Sequence, residues 1–232
     1  MVSVIAEILK QPLADIPWME RYGGLVFPAA KPIQKQGADG VMVTTGYHIY
    51  PVACGVNAEN CWENNRFKYF EPDSEKSAIG FFTDNGGAVL KSIQGPKQMR
   101  LEYSFDLKFL CWLNTLRLGN DITAGGCLTS GRIVPYFFPI FMGAHSAAGL
   151  FAGGTEETNF QAIEVTAVSE ITKSPSMFEP FTFAREGVNK NLFVYPYDFF
   201  GLRIQGTFIV NKDCLEPLGS GWIAEIDSCV ED

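Results

Sequence analysis

Leu101-Glu102-Tyr103-Ser104-Phe105-Asp106-Leu107-Lys108-Phe109 alternates apolar and polar residues without a break. Side chains along a β-strand point to opposite faces with a period of two. Leu101, Tyr103, Phe105, Leu107 and Phe109 therefore share a buried face, and Glu102, Ser104, Asp106 and Lys108 a wet one. A strand buried on one side belongs to an antiparallel sheet, because parallel strands are covered on both faces and read as continuous apolar runs. Extended to Leu113, this strand is the axis around which the remaining segments arrange.

Downstream, Leu202, Ile204, Gly206, Phe208 and Val210 alternate with Arg203, Gln205 and Thr207, which predicts a second long strand, preceded by a short one over 192–195. Residues 160–172 fit strand or helix, with Ile163, Val165 and Ala167 favouring the strand, and a short helix is expected around Phe183-Ala184-Arg185-Glu186. Upstream, Asp84-Asn85-Gly86-Gly87 lies between two apolar runs. It predicts a hairpin, since glycine supplies the positive φ such turns need. Residues 25–30, 31–36 and 41–52 read as strands, with Gly37-Ala38-Asp39-Gly40 at a hairpin tip, and Pro28, Pro32 and Pro51 favour sheet edges. Residues 53–65 are turn-like, and a short strand follows at 66–71.

At the start, Val4, Ile5, Ile8 and Leu9 form one helical face over 2–10, which Pro12 ends. Asp15 reads as the N-cap of a short second helix that stops at Gly23-Gly24, with Trp18 docking it. The expected architecture is α+β: an N-terminal helix, a mostly antiparallel sheet and one or two further short helices, in a single domain over 1–232. A Gly-rich apolar insertion is expected over 119–154 and a C-terminal arm over 211–232, where the sequence ends acidic.

With 232 residues, 47% of them apolar and 19% charged, the chain is long enough to bury a core without disulfide staples. Its net charge of −8 argues against a large phosphate-binding surface, which needs clustered Lys and Arg. Like charge repels the nucleic-acid backbone, so an acidic surface still suits a channel through which DNA passes without sticking. The six cysteines form no C-x-x-C pair and are expected to be reduced thiols. Met1 to Lys10 lacks the pattern of a secretory signal, and no N-x-[ST] acceptor is present, which fits an intracellular site of synthesis. Residues 133–155 carry no Asp, Glu, Lys or Arg and have the length of a membrane span. Pro135, Pro139 and the glycines at Gly143, Gly149, Gly153 and Gly154 are expected to break a helix there, so no membrane span is expected.

Catalytic motifs are scarce. His48 and His145 are the only histidines. Cys127 with His145 has no supporting local signature, and the glycines around Ser146 lack the G-x-S-x-G spacing of a nucleophile elbow. No P-loop or dinucleotide-binding fingerprint occurs. The acid pairs Glu102 with Asp106 and Glu164 with Glu170 belong on solvated faces unless a cleft gathers them. No enzyme activity, cofactor or metal is expected.

Rings are the more informative signal. Tyr136, Phe137, Phe138 and Phe141 crowd into nine residues and are either packed on the sheet or covered by a neighbouring molecule, as rings concentrate at interfaces. Tyr195-Pro196-Tyr197-Asp198-Phe199-Phe200-Gly201 joins two strands and either fills the core margin or offers a platform to a carbohydrate or peptide. The candidate interface set is thus Trp18, Tyr136, Phe137, Phe138, Phe141, Tyr195 and Tyr197.

The order of elements adds a resemblance. A leading helix, a Pro-rich strand region, the long strand over 101–113 and an interrupting segment come first. Ser174-Pro175, Met177-Phe178, Phe183, and Tyr195-Pro196-Tyr197 leading into Gly201-Leu202-Arg203 follow. Together they resemble neck and tail-connector proteins of tailed phages, and among these the ring proteins of crAss-like phages and tail-completion proteins. The likeness is diffuse, spans most of the chain and is best over 192–210. It implies a structural virion subunit, made in the host cytoplasm and repeated around a homo-oligomeric ring. Such a ring stacks between portal and tail and lines a conduit for DNA it does not read. The alternative is a β-rich carbohydrate-binding module using the rings of 195–200.

Overall fold

The computed structural model describes residues 2–36, 41–53, 62–63, 66–67, 69–94, 99–121, 129–143, 162–179, 181–184 and 190–211. In chain order its elements begin with helix α1 (Val2–Lys10) and strands β1 (Arg21–Gln36), β2 (Met42–Ala53), β3 (Trp62–Glu63) and β4 (Arg66–Phe67). Strands β5 (Ala78–Asp84), β6 (Val89–Gln94) and β7 (Met99–Asn114) follow, then helices α2 (Thr115–Asp121) and α3 (Ser130–Met142), and finally strands β8 (Ala162–Glu170) and β9 (Tyr197–Asn211). The fold is α+β. Seven strands form one sheet in the order β2-β1-β5-β7-β9-β8, with β6 also paired to β7, while β3 and β4 pair separately. Within the large sheet every pairing is antiparallel except that of β1 with β5.

β7 is central, as its alternation requires. It pairs with β9 along nearly its whole length, from Arg100 opposite Asn211 to Asn114 opposite Tyr197. Phe105, Leu107 and Phe109 are buried on the face that α1 and α3 cover, with Ile5, Leu9, Phe137 and Phe141 in the same core. Phe109 is its hub, with ring centroids 5.1 to 6.1 Å from those of Phe82, Phe137, Phe141 and Phe200. The one-sided burial expected for this strand holds only up to Phe109. Leu110 and Trp112 are buried on the opposite face in a second core with Phe81, Phe178, Phe181 and Phe199, because the chain leaving β8 crosses over them in 3-10 turns. The Trp112 indole donates to the Leu192 carbonyl at 2.7 Å and stacks on Tyr197.

Several local readings are corrected. Asp84-Asn85-Gly86-Gly87 is no hairpin. β5 and β6 both pair with β7 and run end to end beside it, with Asp84 opposite Leu107 and Val89 opposite Ser104. Gly86 and Gly87 do have positive φ, and Asp84 Oδ1 accepts from the Gly86 amide, but the turn inserts residues into a continuing edge instead of reversing it. Pro135 and Pro139 do not break α3. Both lie on its exposed side, four residues apart, so the backbone bonds they remove face water while Ile133, Val134, Phe137 and Phe141 hold the other side on the sheet. This helix places part of 119–154 in the main core. Asp15 ends a 3-10 turn (Gln11–Asp15) instead of opening a helix, and Gly23-Gly24 lie buried inside β1. Residues 190–193 form a 3-10 turn, not a strand. Within 160–172 the strand alternative holds, as β8 over Ala162–Glu170, and no pattern in the sequence signals α2. The hairpin tip at 37–40, residues 144–154, Cys127, His145 and the arm beyond Asn211 lie outside the described residues.

Phe109→Ala is expected to destabilise the fold by roughly 3 to 5 kcal/mol, read as a lower urea midpoint at unchanged slope.

Candidate functional site

The feature the core does not account for is the far part of β1 and β2. β1 pairs with β5 only from Arg21 to Leu25, whereas its pairing with β2 continues from Val26 opposite Ala53 to Gln36 opposite Met42. From Val26 onward the two strands leave the sheet as a two-stranded arm. At about 3.3 Å per residue, the part from Pro28 to Gln36 reaches roughly 25 Å. The root is fastened: Val26 and Ala53 sit in the second core, the Ile49 amide donates to Thr182 Oγ1 at 2.7 Å, and the Phe70 amide to the Pro51 carbonyl at 3.0 Å. Beside it His48 Nε2 lies 2.5 Å from Glu71 Oε1, and its ring stacks on Tyr50.

Beyond the root the arm is wet on both faces. Phe27, Ile33 and Val43 on one face and Met42 and Tyr47 on the other are 42 to 61% exposed. A two-stranded ribbon alone is marginally stable in water, and this one displays apolar side chains where soluble edges carry charge. The described arm residues, 26–36 and 42–53, include Lys31 and Lys35 and no acid, although the chain as a whole is acidic. The sequence signalled the strands and the prolines. It did not signal that β1 parts from β5 after Leu25, because that depends on a distant strand.

The ring residues divide. Phe137 and Phe141 are fully buried in the chain's own core, so they are not contact surface, and Phe138 is half-buried against that core. Trp18 packs edge-on against Phe137 at 6.0 Å, fastening the segment after α1. Tyr197 is occupied by Trp112, and Phe199 and Phe200 are buried. Only Tyr136 and Tyr195 face water, at 70% and 71% exposure. Leu116 and Val194 are exposed as well, and Thr115 donates to the Pro196 carbonyl through both its amide and its hydroxyl, bringing the start of α2 to the 194–196 turn.

Two polar clusters tie elements together. Asp198 accepts from the Ser130 amide at 2.7 Å, from its own neighbour Phe199 and from Lys173, whose ammonium also donates to Ser130 Oγ. Burial pushes the Asp198 carboxyl up, but the Lys173 ammonium and the amides and hydroxyl of Ser130 and Phe199 outweigh it and hold the group below the usual carboxylate range. Asp198 therefore caps α3 from another strand. Ser130 beside Lys173 has the composition of a nucleophile and base, but the lysine is engaged as a cation by Asp198 and the serine is buried. On the open sheet face Arg203 grips Asp106 from both Nε and Nη2, lowering the carboxyl, first through that hydrogen bonding. Glu164 and Glu170 are exposed on β8. Among the described residues no group of three His, Cys, Asp or Glu could hold a metal, and no helix is long and apolar enough to cross a membrane. Cys111, free and buried, is pushed well up by burial and is a core residue. No protein-family model matches the sequence, and no curated protein does.

Asp198→Asn is expected to cost about 1 to 3 kcal/mol at neutral pH. A depressed folded-state value stabilises above the unfolded carboxylate value near 3.9 and is lost as pH falls through the folded one. The gap between native protein and variant in denaturant titrations should therefore narrow below about pH 4.

Proposed function

We propose that this chain is a structural subunit of an oligomeric ring in the portal-to-tail neck or tail of a tailed phage, where the ring contributes to the DNA conduit. The observation that carries the reading is the projecting β1–β2 arm. Past its fastened root, Phe27, Ile33, Met42, Val43 and Tyr47 are exposed, and a neighbour that covers them supplies the burial an isolated ribbon lacks. A head-to-tail contact closes into a ring when the rotation between copies permits. The likeness of the element order to neck and tail-connector proteins supports the same role. A net charge of −8 suits a lumen that lets DNA slide past without sequence-specific binding. Portal and other neck or tail proteins are then its partners above and below, and the virion is its location.

Purified protein is expected to give a discrete, closed oligomer by native mass spectrometry, with a central opening in negative-stain images. A chain that stays monomeric up to its solubility limit, and is missing from purified virions, overturns the proposal.

A further inference from the structure

Resting on the ring reading, we infer that the arm of one copy docks by strand addition on the outer edge of β8 in the next copy. The two surfaces lie at opposite ends of the same sheet, since β2 begins the strand order and β8 ends it. Each copy thus carries one donor and one acceptor, the head-to-tail relation a ring needs.

The arm has two outer edges, and they are not equivalent. Ile49 turns its amide away from β1, toward Thr182, so its neighbours at alternate positions, Tyr47 and Pro51, turn outward too. Pro28, Ala30 and Pro32, opposite Pro51, Ile49 and Tyr47, then face the free side of β1, where two prolines offer no N–H. The β1 side is blunted. The β2 side carries no proline from Met42 to Tyr50, and past its fastened root no strand among the described residues lies beyond it. β8 is likewise free of proline, and no strand among the described residues lies on its outer side.

Charge selects β8 over the remaining edge. Lys31 and Lys35 share a face of β1 with no acid in the described arm, whereas β8 carries Glu164 and Glu170 and no base. β6, the other candidate edge, carries Lys91. A strand added outside β2 lies about 10 Å from β1, a distance that a lysine and a glutamate span together. Glu164, opposite Thr207, and Glu170, opposite Leu202, lie on opposite faces of β8, so the lysine face meets one of them. Apolar Val43, Met42 and Tyr47 would be covered at the same step.

The test mixes isotopically light and heavy full-length protein, assembles it and treats it with a zero-length carbodiimide, reading cross-links by mass spectrometry. Mixed-isotope links from Lys31 or Lys35 to Glu164 or Glu170 are expected. Lys31→Glu with Lys35→Glu should raise the concentration for half-assembly at least about tenfold, and Glu164→Lys with Glu170→Lys in the same chain should recover it. All four residues are surface charges, and unchanged circular dichroism confirms folding. A closed oligomer whose cross-links fall elsewhere, indifferent to these reversals, overturns this contact and leaves the ring standing. A monomer under every condition overturns both.

Discussion

The structure depends on the pairing of β7 with β9 and on the change of side that occurs along it. Up to Phe109 the apolar residues of β7 face α1 and α3, and from Leu110 the opposite face is buried as well. One strand therefore threads two cores. Phe109 and Trp112, three residues apart on opposite faces, each anchor one of them, through a cluster of phenylalanines on one side and an indole hydrogen bond to Leu192 on the other. Strands buried on both sides resist opening, so this half of the sheet is the rigid body from which the rest projects.

What could be read from residues alone follows from how local the cause is. The 101–109 alternation and the helical face of Val2–Lys10 were legible because period alone decides them. Asp84 to Gly87 misled because glycines permit positive φ without saying whether the chain then reverses, and the pairing partner that settles it, β7, lies beyond the turn. Pro135 and Pro139 misled in the other direction: their spacing of four places both on one stripe, and the burial of Phe137 and Phe141 on the opposite stripe outweighs the two lost bonds. Trp112 gave no sign of its partner, which is eighty residues away in sequence.

The candidate surface shows the same division. Rings in 133–141 drew attention as an interface, yet ring density alone cannot separate a core from a contact. The helix turns Phe137 and Phe141 inward and only Tyr136 out. The arm was less conspicuous, being moderate in hydropathy and interrupted by prolines, although those prolines carry real information. Pro28 and Pro32 mark a strand side that no sheet partner among the described residues uses. The missing fact was where β1 and β5 separate, and pairing over so few residues leaves no periodic trace.

Charge distribution links arm and body. The described arm residues carry Lys31 and Lys35 and no acid, so the rest of the chain is more acidic than the net −8. Identical acidic bodies repel one another, with a range set by salt. In the proposed ring, a contact through the arm sets its lysines and its exposed apolar residues against an acidic neighbour, so that charge and burial both favour it.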